Sequence, residues 1–528
     1  MDIILRGGTV IDGTGAPAVC ADVGITDGRV EAVGDLSDAT AETVLDITGR
    51  IVAPGFIDVH THTDWGPFLD DEHLDVKLSS ARQGVTTEVC GNCGISPFPA
   101  SDLVRSTLTE AYGGSAFGGS FRLFDSLAAY REELDTTPML VNLAPLVGHG
   151  TVRGAAMGYE DRAPTGVELD VMKRLVHAAM EDGAFGVSTG LIYMPGTYAT
   201  TEEIIVLAEV AAQHGRLYTT HMRNEGPRLV EALEEALRIG RESGAAVEIS
   251  HHKVTGEANW GTSQQTLKML EDARRAGMRV VADSYPYTAA STGLSAYLPR
   301  WAQDGGFQAM LARLKDDADR ERIETDFAAM APGRMGADAD AMWAKVVVAS
   351  CGDHDEWAGR SIFDLATEAG KRAGQMVCDI LLEDSGTMII SHGMDQDEVR
   401  SIGTQPFVLV GSDGAQLPGK QHPRTAGTFT RVLGEVRRGE RAGSLEDTIR
   451  RMTSASAEHF GIPDRGTVAR GKVADLVVLD PATVADGATF EEPYLPPHGI
   501  DHVLLAGRFL VRDGKETGLR AGQVLAPA

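Results

Sequence analysis

The stretch GFIDVHTH, residues 55–62, sets a short apolar run against two histidines at its end. Phe56, Ile57 and Val59 are residue types that favour extended backbone. In a strand, side chains two apart share a face, so Asp58, His60 and His62 point the same way. The same form recurs along the chain, in TTEVCGNC (86–93), MLVNLAPLVGH (139–149), GAFGVSTG (183–190), RLYTTHM (216–222), AVEISHH (246–252), RVVADSYPY (279–287) and FVLVGSDG (407–414). Helical patterns separate most of these runs, among them VELDVMKRLVHAAMED and GPRLVEALEEALRIGRES. Repeated β-then-α units favour a parallel sheet, and eight of them favour a closed (β/α)8 TIM-like barrel over an open doubly wound sheet. No GxGxxG follows a strand and no GxxxxGK[ST] occurs, which weighs against a nucleotide-binding sheet. The expected class is α/β.

Outside the repeats the style changes. Residues 1–54 contain short strand candidates with an Asp27-Gly28 hairpin signal, and 461–528 return to alternating apolar and polar residues with Gly-rich turns. The two ends are expected to build one small β-sandwich domain around a barrel spanning 55–460. A long insertion near 290–405 carries the charged helical stretch MLARLKDDADRERIETDFAAM. It reads either as a lid at the barrel mouth or as a solvated helix without a catalytic role.

Lys plus Arg number 48 against 76 Asp plus Glu, a formal charge of −28 over 528 residues. Such a surface repels nucleic acid and anionic membranes, so neither is an expected partner. No basic segment precedes an apolar one at the N-terminus and no run of about 18 apolar residues exists, so neither a signal peptide nor a membrane span is expected. Cys20, Cys90, Cys93, Cys351 and Cys378 are too scattered for a disulfide framework. A cytoplasmic location is the simplest reading. Oligomeric state is open.

In a (β/α)8 barrel the active site lies at the C-terminal ends of the strands. His60 and His62 fall at the end of the first run, Cys93 at the second, His149 at the third, His221 at the fifth, His251 at the sixth and Asp413 at the eighth. One such histidine is ordinary packing. So many metal-binding residue types at one end of separate strands point to a metal. Imidazole, thiolate and carboxylate together suit Zn²⁺, which in catalytic sites activates water near neutral pH. Asp413, in VLVGSDG, is placed to take and return a proton. It can equally serve as a ligand or as a helix N-cap.

At this point the motifs carry a resemblance. APGFIDVHTHTD (53–64) resembles the first-strand motif of the amidohydrolase superfamily. GVTTEVCGNCGISPFP, APLVGHGTVRG, GVSTGLIYMPG, THMRNEG, ISHHK, DSYPYTA, GSDG followed by HPR, and RGTVARGKVADLVVLDP resemble the N-acyl-D-amino-acid deacylase (D-aminoacylase) branch. The resemblance runs nearly end to end and is weakest over 300–405. It implies a barrel with a small β domain made from both termini. It also implies one tight zinc on Cys93, His221 and His251, and a second, weaker position surrounded by His60, His62 and Asp413, with Cys93 available as a bridge. Many amidohydrolases bridge two metals with a carboxylated lysine on strand four. GAFGVSTG has none, so this chain follows the cysteine variant.

The resemblance further implies that Arg424 anchors a substrate α-carboxylate, assisted by Tyr285 and Ser291. A bidentate guanidinium suits that task physically. Tyr193 would donate to the developing oxyanion, and Lys253 is a further cation near the substrate. Each has a plain alternative: a packed turn around Pro286 for Tyr285, a surface pair for Lys253. His252 cannot share a strand face with His251 and so packs or orients; nothing makes His392 catalytic. The implied activity is zinc-dependent hydrolysis of N-acyl-D-amino acids, a small-molecule substrate class. The alternatives are a related enzyme of xenobiotic or natural-product amides, a cyclic-amide hydrolase such as a hydantoinase, a deaminase-like relative, and a non-catalytic scaffold. An enzyme for D-glutamate or D-aspartate needs another cation, for which Arg300 or Lys253 is available; the reading leans to neutral side chains. As for Cys90, it is expected to be a buried strand residue and no partner of Cys93 in chemistry.

Overall fold

The structure, a computed structural model, describes residues 1–112, 120–334 and 338–528. Each of the eight runs contains a strand: β1 (Phe56–Asp58), β2 (Val85–Cys90), β3 (Asn142–Pro145), β4 (Gly186–Gly190), β5 (Leu217–His221), β6 (Ala246–Ile249), β7 (Val280–Ser284) and β8 (Val408–Val410). β1, β2 and β3 pair in parallel. A short continuation of β3, Val147–Gly148, pairs with β4, and parallel ladders then run from β4 to β8. The ring is completed beyond the strand ends, where Thr61–His62 pairs in parallel with Gly414–Ala415 and the Asp413 N–H donates to the His60 carbonyl at 2.8 Å. Most strands are shorter than their apolar runs suggest. Cys93, His251 and Asp413 therefore sit on the turns that leave the strands, whereas His221 is the last residue of β5 and His62 lies in the short strand Thr61–His62.

The barrel strands are buried on both faces, as parallel strands covered by helices must be. The covering helix Leu229–Ser243 buries Leu229, Leu233, Ala236, Leu237 and Gly240, spaced by three and four, and Gly244 ends it at φ 75°. A fully buried leucine of this kind contributes about 1.5–3 kcal/mol. The helix Gly166–Glu181 starts at a capping box, Thr165 to Glu168 and back.

Both chain ends meet in one sheet. Leu476–Leu479 pairs antiparallel with Ile51–Pro54 and with Ile500–Leu505. A four-stranded N-terminal sheet packs on it through Ile3, Leu5, Val23, Ile25, Val52, Leu476 and Val478. The sandwich built from both termini follows from that pairing. No helix among the described residues is long and apolar enough to cross a membrane.

The insertion is helical as expected, with Phe307–Lys315 and Asp317–Arg334 covering the charged stretch. It also contains what periodicity did not suggest, an antiparallel sheet in which Met388–His392 lies between Ala289–Gly293 and Val346–Ser350. Its core is separate from that of the barrel and includes Phe327, Trp343, Leu381 and Ile389.

On the far side from the strand ends, His459 lies in the helix Ser454–Phe460. Its imidazole is pushed down to about 3, by burial first and then by Arg279 and Arg274. The folded protein holds it neutral, whereas the unfolded chain takes up a proton below the ordinary value of 6.5. Stability is therefore full above that pH and falls as the pH drops toward 3, at about 1.4 kcal/mol per unit. Between pH 6.5 and 5, denaturant titration is expected to show the wild type losing about 2 kcal/mol more than His459→Gln. Equal losses would mean that the imidazole is protonated in the fold.

Candidate metal centre

The turn after β2 is built so that one cysteine enters the barrel mouth. Gly91, Cys93 and Gly94 have φ of 78°, 52° and 76°. A Cβ at Gly91 would stand 2.2 Å from the Leu146 carbonyl oxygen, so the close approach of β3 demands glycine there. Asn92 Nδ2 donates to the Val89 carbonyl at 3.0 Å, the Gly94 N–H donates to Ser188 Oγ at 3.1 Å, and Ser188 Oγ donates to the Gly91 carbonyl. Ser188 of β4, the strand without a lysine, thus fixes the cysteine loop. Cys90 is buried in the barrel core, and all five cysteines are free thiols.

Cys93 Sγ lies 3.4 Å from His60 Nε2, 3.5 Å from His251 Nε2 and 3.7 Å from His221 Nδ1. Tetrahedral zinc with Zn–S near 2.3 Å and Zn–N near 2.0–2.1 Å sets sulfur and nitrogen about 3.5 Å apart. The donors fit that edge length. A second group follows at once: Asp413 Oδ1 is 3.2 Å from His62 Nε2 and 3.5 Å from His60 Nε2. His60 belongs to both groups, as a member of the compact sets His60/Cys93/His251 and His60/His62/Asp413. Cys93, His251 and Asp413 share one backbone peculiarity, a left-handed conformation with φ of 52°, 37° and 51°.

The protonation states suit metal binding. Burial pushes the His221 and His251 imidazoles well below the ordinary range, against the pull of Glu225 on His221 and with Lys253 adding to it at both, so both offer lone pairs. Burial, then the Asp413 charge, pushes the Cys93 thiol well up. A divalent cation among these donors is what would ionise it. Burial pushes Asp413 up, but Arg424, His251, His62 and His60 outweigh it and hold the carboxyl well below its usual value. Asp413 stands ionised and able to accept a proton.

Two carboxylates that the sequence reading passed over contact the candidate ligands. Asp283, at the end of β7, reaches His60 Nδ1 at 3.1 Å. Glu225 Oε1 lies 2.9 Å from His251 Nδ1 and 2.6 Å from Lys253 Nζ, and its other oxygen is 3.7 Å from His221 Nε2. Such carboxylate–imidazole contacts fix the ring and tautomer of a ligand. Glu225 stands in THMRNEG four residues after His221, and Asp283 stands at the same barrel end as the histidines; position was the available signal for both.

The residues expected to face a substrate gather around the same point. Arg424 Nη1 pairs with Asp413 Oδ2 at 2.8 Å, its Nη2 donates to the Ser291 carbonyl at 3.2 Å, and its guanidinium lies 5.0 Å over the Tyr285 ring. Tyr193 Oη is 2.9 Å from Thr292 Oγ1 and its ring is 5.1 Å from that of His221. Burial first and then Cys93 keep its phenol protonated. Lys253 is closely held: besides Glu225 it contacts His251 Nδ1 at 2.7 Å and donates to the His251 carbonyl at 2.8 Å. Three compartments meet at Tyr193, with open volumes, counted out into the solvent at their mouths, of about 530, 980 and 830 Å³. The second carries Arg424 and His422 and the third Lys253 and Asn224; Asp413 lines both of these and is absent from the first.

His149 corrects the strand-end pattern. It opens the helix His149–Met157 and gives its Nε2 to Glu203 at 2.8 Å, outside the metal-binding groups. His252 Nε2 packs against Thr266 Oγ1 at 3.0 Å, and His392 is exposed on the sheet of the insertion.

Residues 43–511 match the Amidohydrolase family. The chain belongs to that family. This amidohydrolase is 40% identical over 525 residues to the D-aminoacylase of Alcaligenes xylosoxydans xylosoxydans, covering 99% of this chain and 97% of the relative. It is 39% identical over 510 residues to the N-acyl-D-glutamate deacylase of the same organism, covering 96% and 93%. Among solved structures, the N-acyl-D-glutamate deacylase of Bordetella bronchiseptica superposes with a TM-score of 0.82 at 38% identity, covering 100% of this chain and 99% of that one. That protein is complexed with zinc and a phosphonate inhibitor, a mimic of the tetrahedral intermediate of the reaction.

Proposed function

We propose that this amidohydrolase is a zinc-dependent N-acyl-D-amino-acid deacylase: water adds across the amide, the acyl C–N bond breaks, and a carboxylate and a free D-amino acid leave. The observation that carries the reading is the convergence of three imidazole nitrogens on Cys93 Sγ at 3.4–3.7 Å, beside an Asp413–Arg424 pair at 2.8 Å. Cys93, His221 and His251 would hold the tight zinc; His60, His62 and Asp413 would surround a weaker second position, with His60 and Cys93 facing both. Zinc, when bound, supplies Lewis acidity that polarises the scissile carbonyl and activates water near neutral pH.

The chain supplies the rest. Asp413, held ionised, takes the proton of the attacking water and returns it to the leaving nitrogen. Tyr193, held protonated, donates to the carbonyl oxygen as it becomes an oxyanion. Arg424 binds the α-carboxylate with Tyr285 and Ser291 beside it, and this fixed anchor next to Asp413 helps select the hand at Cα. Lys253 is tied to Glu225 and His251, so it orients the ligand as well as lending positive charge to the substrate cavity.

Overall identity is nearly equal to relatives named for D-aminoacyl and D-glutamyl substrates, so the side-chain preference rests on the pocket. Arg300 is committed to Asp161 at 2.7 Å and lines none of the three compartments, while Lys253 is paired with Glu225. A side-chain carboxylate finds no spare cation there among the described residues, which favours neutral D-amino acids. A reducing cytoplasm, where a thiol ligand stays free, is the compartment we infer. In a panel of N-acetyl-D- and N-acetyl-L-amino acids, we expect turnover of neutral D-substrates, loss of activity with chelator and recovery with zinc. Turnover of L-substrates alone, or activity indifferent to chelator, would overturn the reading.

A further inference from the structure

The acyl half of the substrate has its own compartment, and its walls are apolar. This assignment of the compartment rests on the deacylase reading and on the position of Asp413. Asp413 returns its proton to the leaving amine, so the amine side of the scissile bond faces Asp413 and Arg424. Both residues line the second compartment, and Asp413 also lines the third. The first compartment touches Cys93 and Tyr193, the metal ligand and the oxyanion donor, but neither Asp413 nor Arg424. A group attached to the carbonyl carbon and directed away from the amine enters this space.

Its walls come from four parts of the fold. Ile95 follows the cysteine loop, Met194 follows Tyr193, Leu108 lies on the helix Asp102–Tyr112, and Phe307 opens a helix of the insertion. Leu108 and Phe307 are buried. No Asp, Glu, Lys, Arg or His side chain lines the compartment among the described residues. Two of the polar groups on it are engaged: Gln303 Nε2 donates to the Leu298 carbonyl at 2.9 Å, and Thr151 Oγ1 to the Ser96 carbonyl at 3.1 Å; Tyr159 and Ser295 add uncharged hydroxyls. Its roughly 530 Å³ of open volume counts space continuous with solvent, and the enclosed part holds more than one water-sized group, which exceeds the needs of a methyl group.

We propose that this enzyme prefers acyl groups longer than acetyl, aliphatic or aromatic and uncharged, and that Leu108 and Phe307 determine this preference. The insertion between β7 and β8 thereby acts as a specificity wall. Each methylene buried there is worth roughly fourfold in kcat/KM.

The test uses the zinc-loaded full-length enzyme and one neutral D-amino acid, D-leucine, carrying acetyl, butyryl, hexanoyl, phenylacetyl or succinyl groups. We expect kcat/KM to climb from acetyl through hexanoyl, phenylacetyl to exceed acetyl, and succinyl to fall below acetyl because its carboxylate meets no cation. Leu108→Trp and Phe307→Trp fill the space from different elements, and each is expected to cut the hexanoyl-to-acetyl ratio at least tenfold. Turnover of the acetyl substrate with a flat or falling chain-length series overturns the acyl inference and leaves the deacylase reading standing. An unchanged ratio in both variants also overturns it. No turnover of any member of the series overturns the deacylase reading, and the acyl inference with it.

Discussion

Asp413→Asn is expected to lower kcat by about three to four orders of magnitude, the upper range for loss of a general acid and base. The amide keeps the shape of the carboxylate, and its oxygen can still face His62 Nε2, now 3.2 Å away. What it loses is the ability to hold a proton between attack and departure of the amine. Because Cys93, His221 and His251 remain, the tight zinc is expected to stay near one per chain by elemental analysis. Two results would count against this assignment. A drop in kcat below tenfold would place the base elsewhere, and loss of the tight zinc together with activity would make Asp413 a ligand first. KM is informative too, because Arg424 gives up its partner at 2.8 Å and becomes freer to bind the substrate carboxylate.

Cys93→Ala is expected to weaken zinc binding by about a hundred- to a thousandfold. That is the share of one ligand when the roughly 10–16 kcal/mol of a zinc site is divided among four. At stoichiometric zinc, activity should drop below detection. Cys90→Ala is the sharp control. Its thiol lies in the barrel core, so this variant should keep its zinc and lose only the modest stability of a small cavity. Equal loss of zinc from both variants, measured by competition with a chelating dye, would make Cys90 and Cys93 a joint motif and overturn the expectation that Cys90 only packs.

Much of this site was legible in the residues. The apolar runs located all eight barrel strands, and residues at or just past their ends include the six side chains that the structure brings together, Cys93, His221, His251, His60, His62 and Asp413; Arg424 entered through the resemblance. Strand ends were less legible. Cys93, His251 and Asp413 leave their strands through left-handed backbone, which has no signature when the residue is not glycine. His149 shows the opposite failure: a residue that closes an apolar run and one that starts a helix look alike in sequence, and here the helix wins. Glu225 and Asp283 act through other side chains, and such contacts depend on loop paths that no local pattern encodes. The insertion's sheet was hidden for a related reason. Its strand Ala289–Gly293, AASTG, has little β-propensity and pairs with residues 388–392, about a hundred positions away.

The left-handed backbone at Cys93, His251 and Asp413 bears on how such a chain can change over generations. Each residue pays of the order of 1–2 kcal/mol in steric strain that glycine would not. Chemistry alone justifies keeping a thiol, an imidazole and a carboxylate there. A duplicate released from catalysis would gain stability from glycine or asparagine at these three positions, and drift would carry it that way. The residues at positions 93, 251 and 413 are therefore a gauge for descendants of this enzyme: glycine there marks a barrel that still folds and no longer hydrolyses anything.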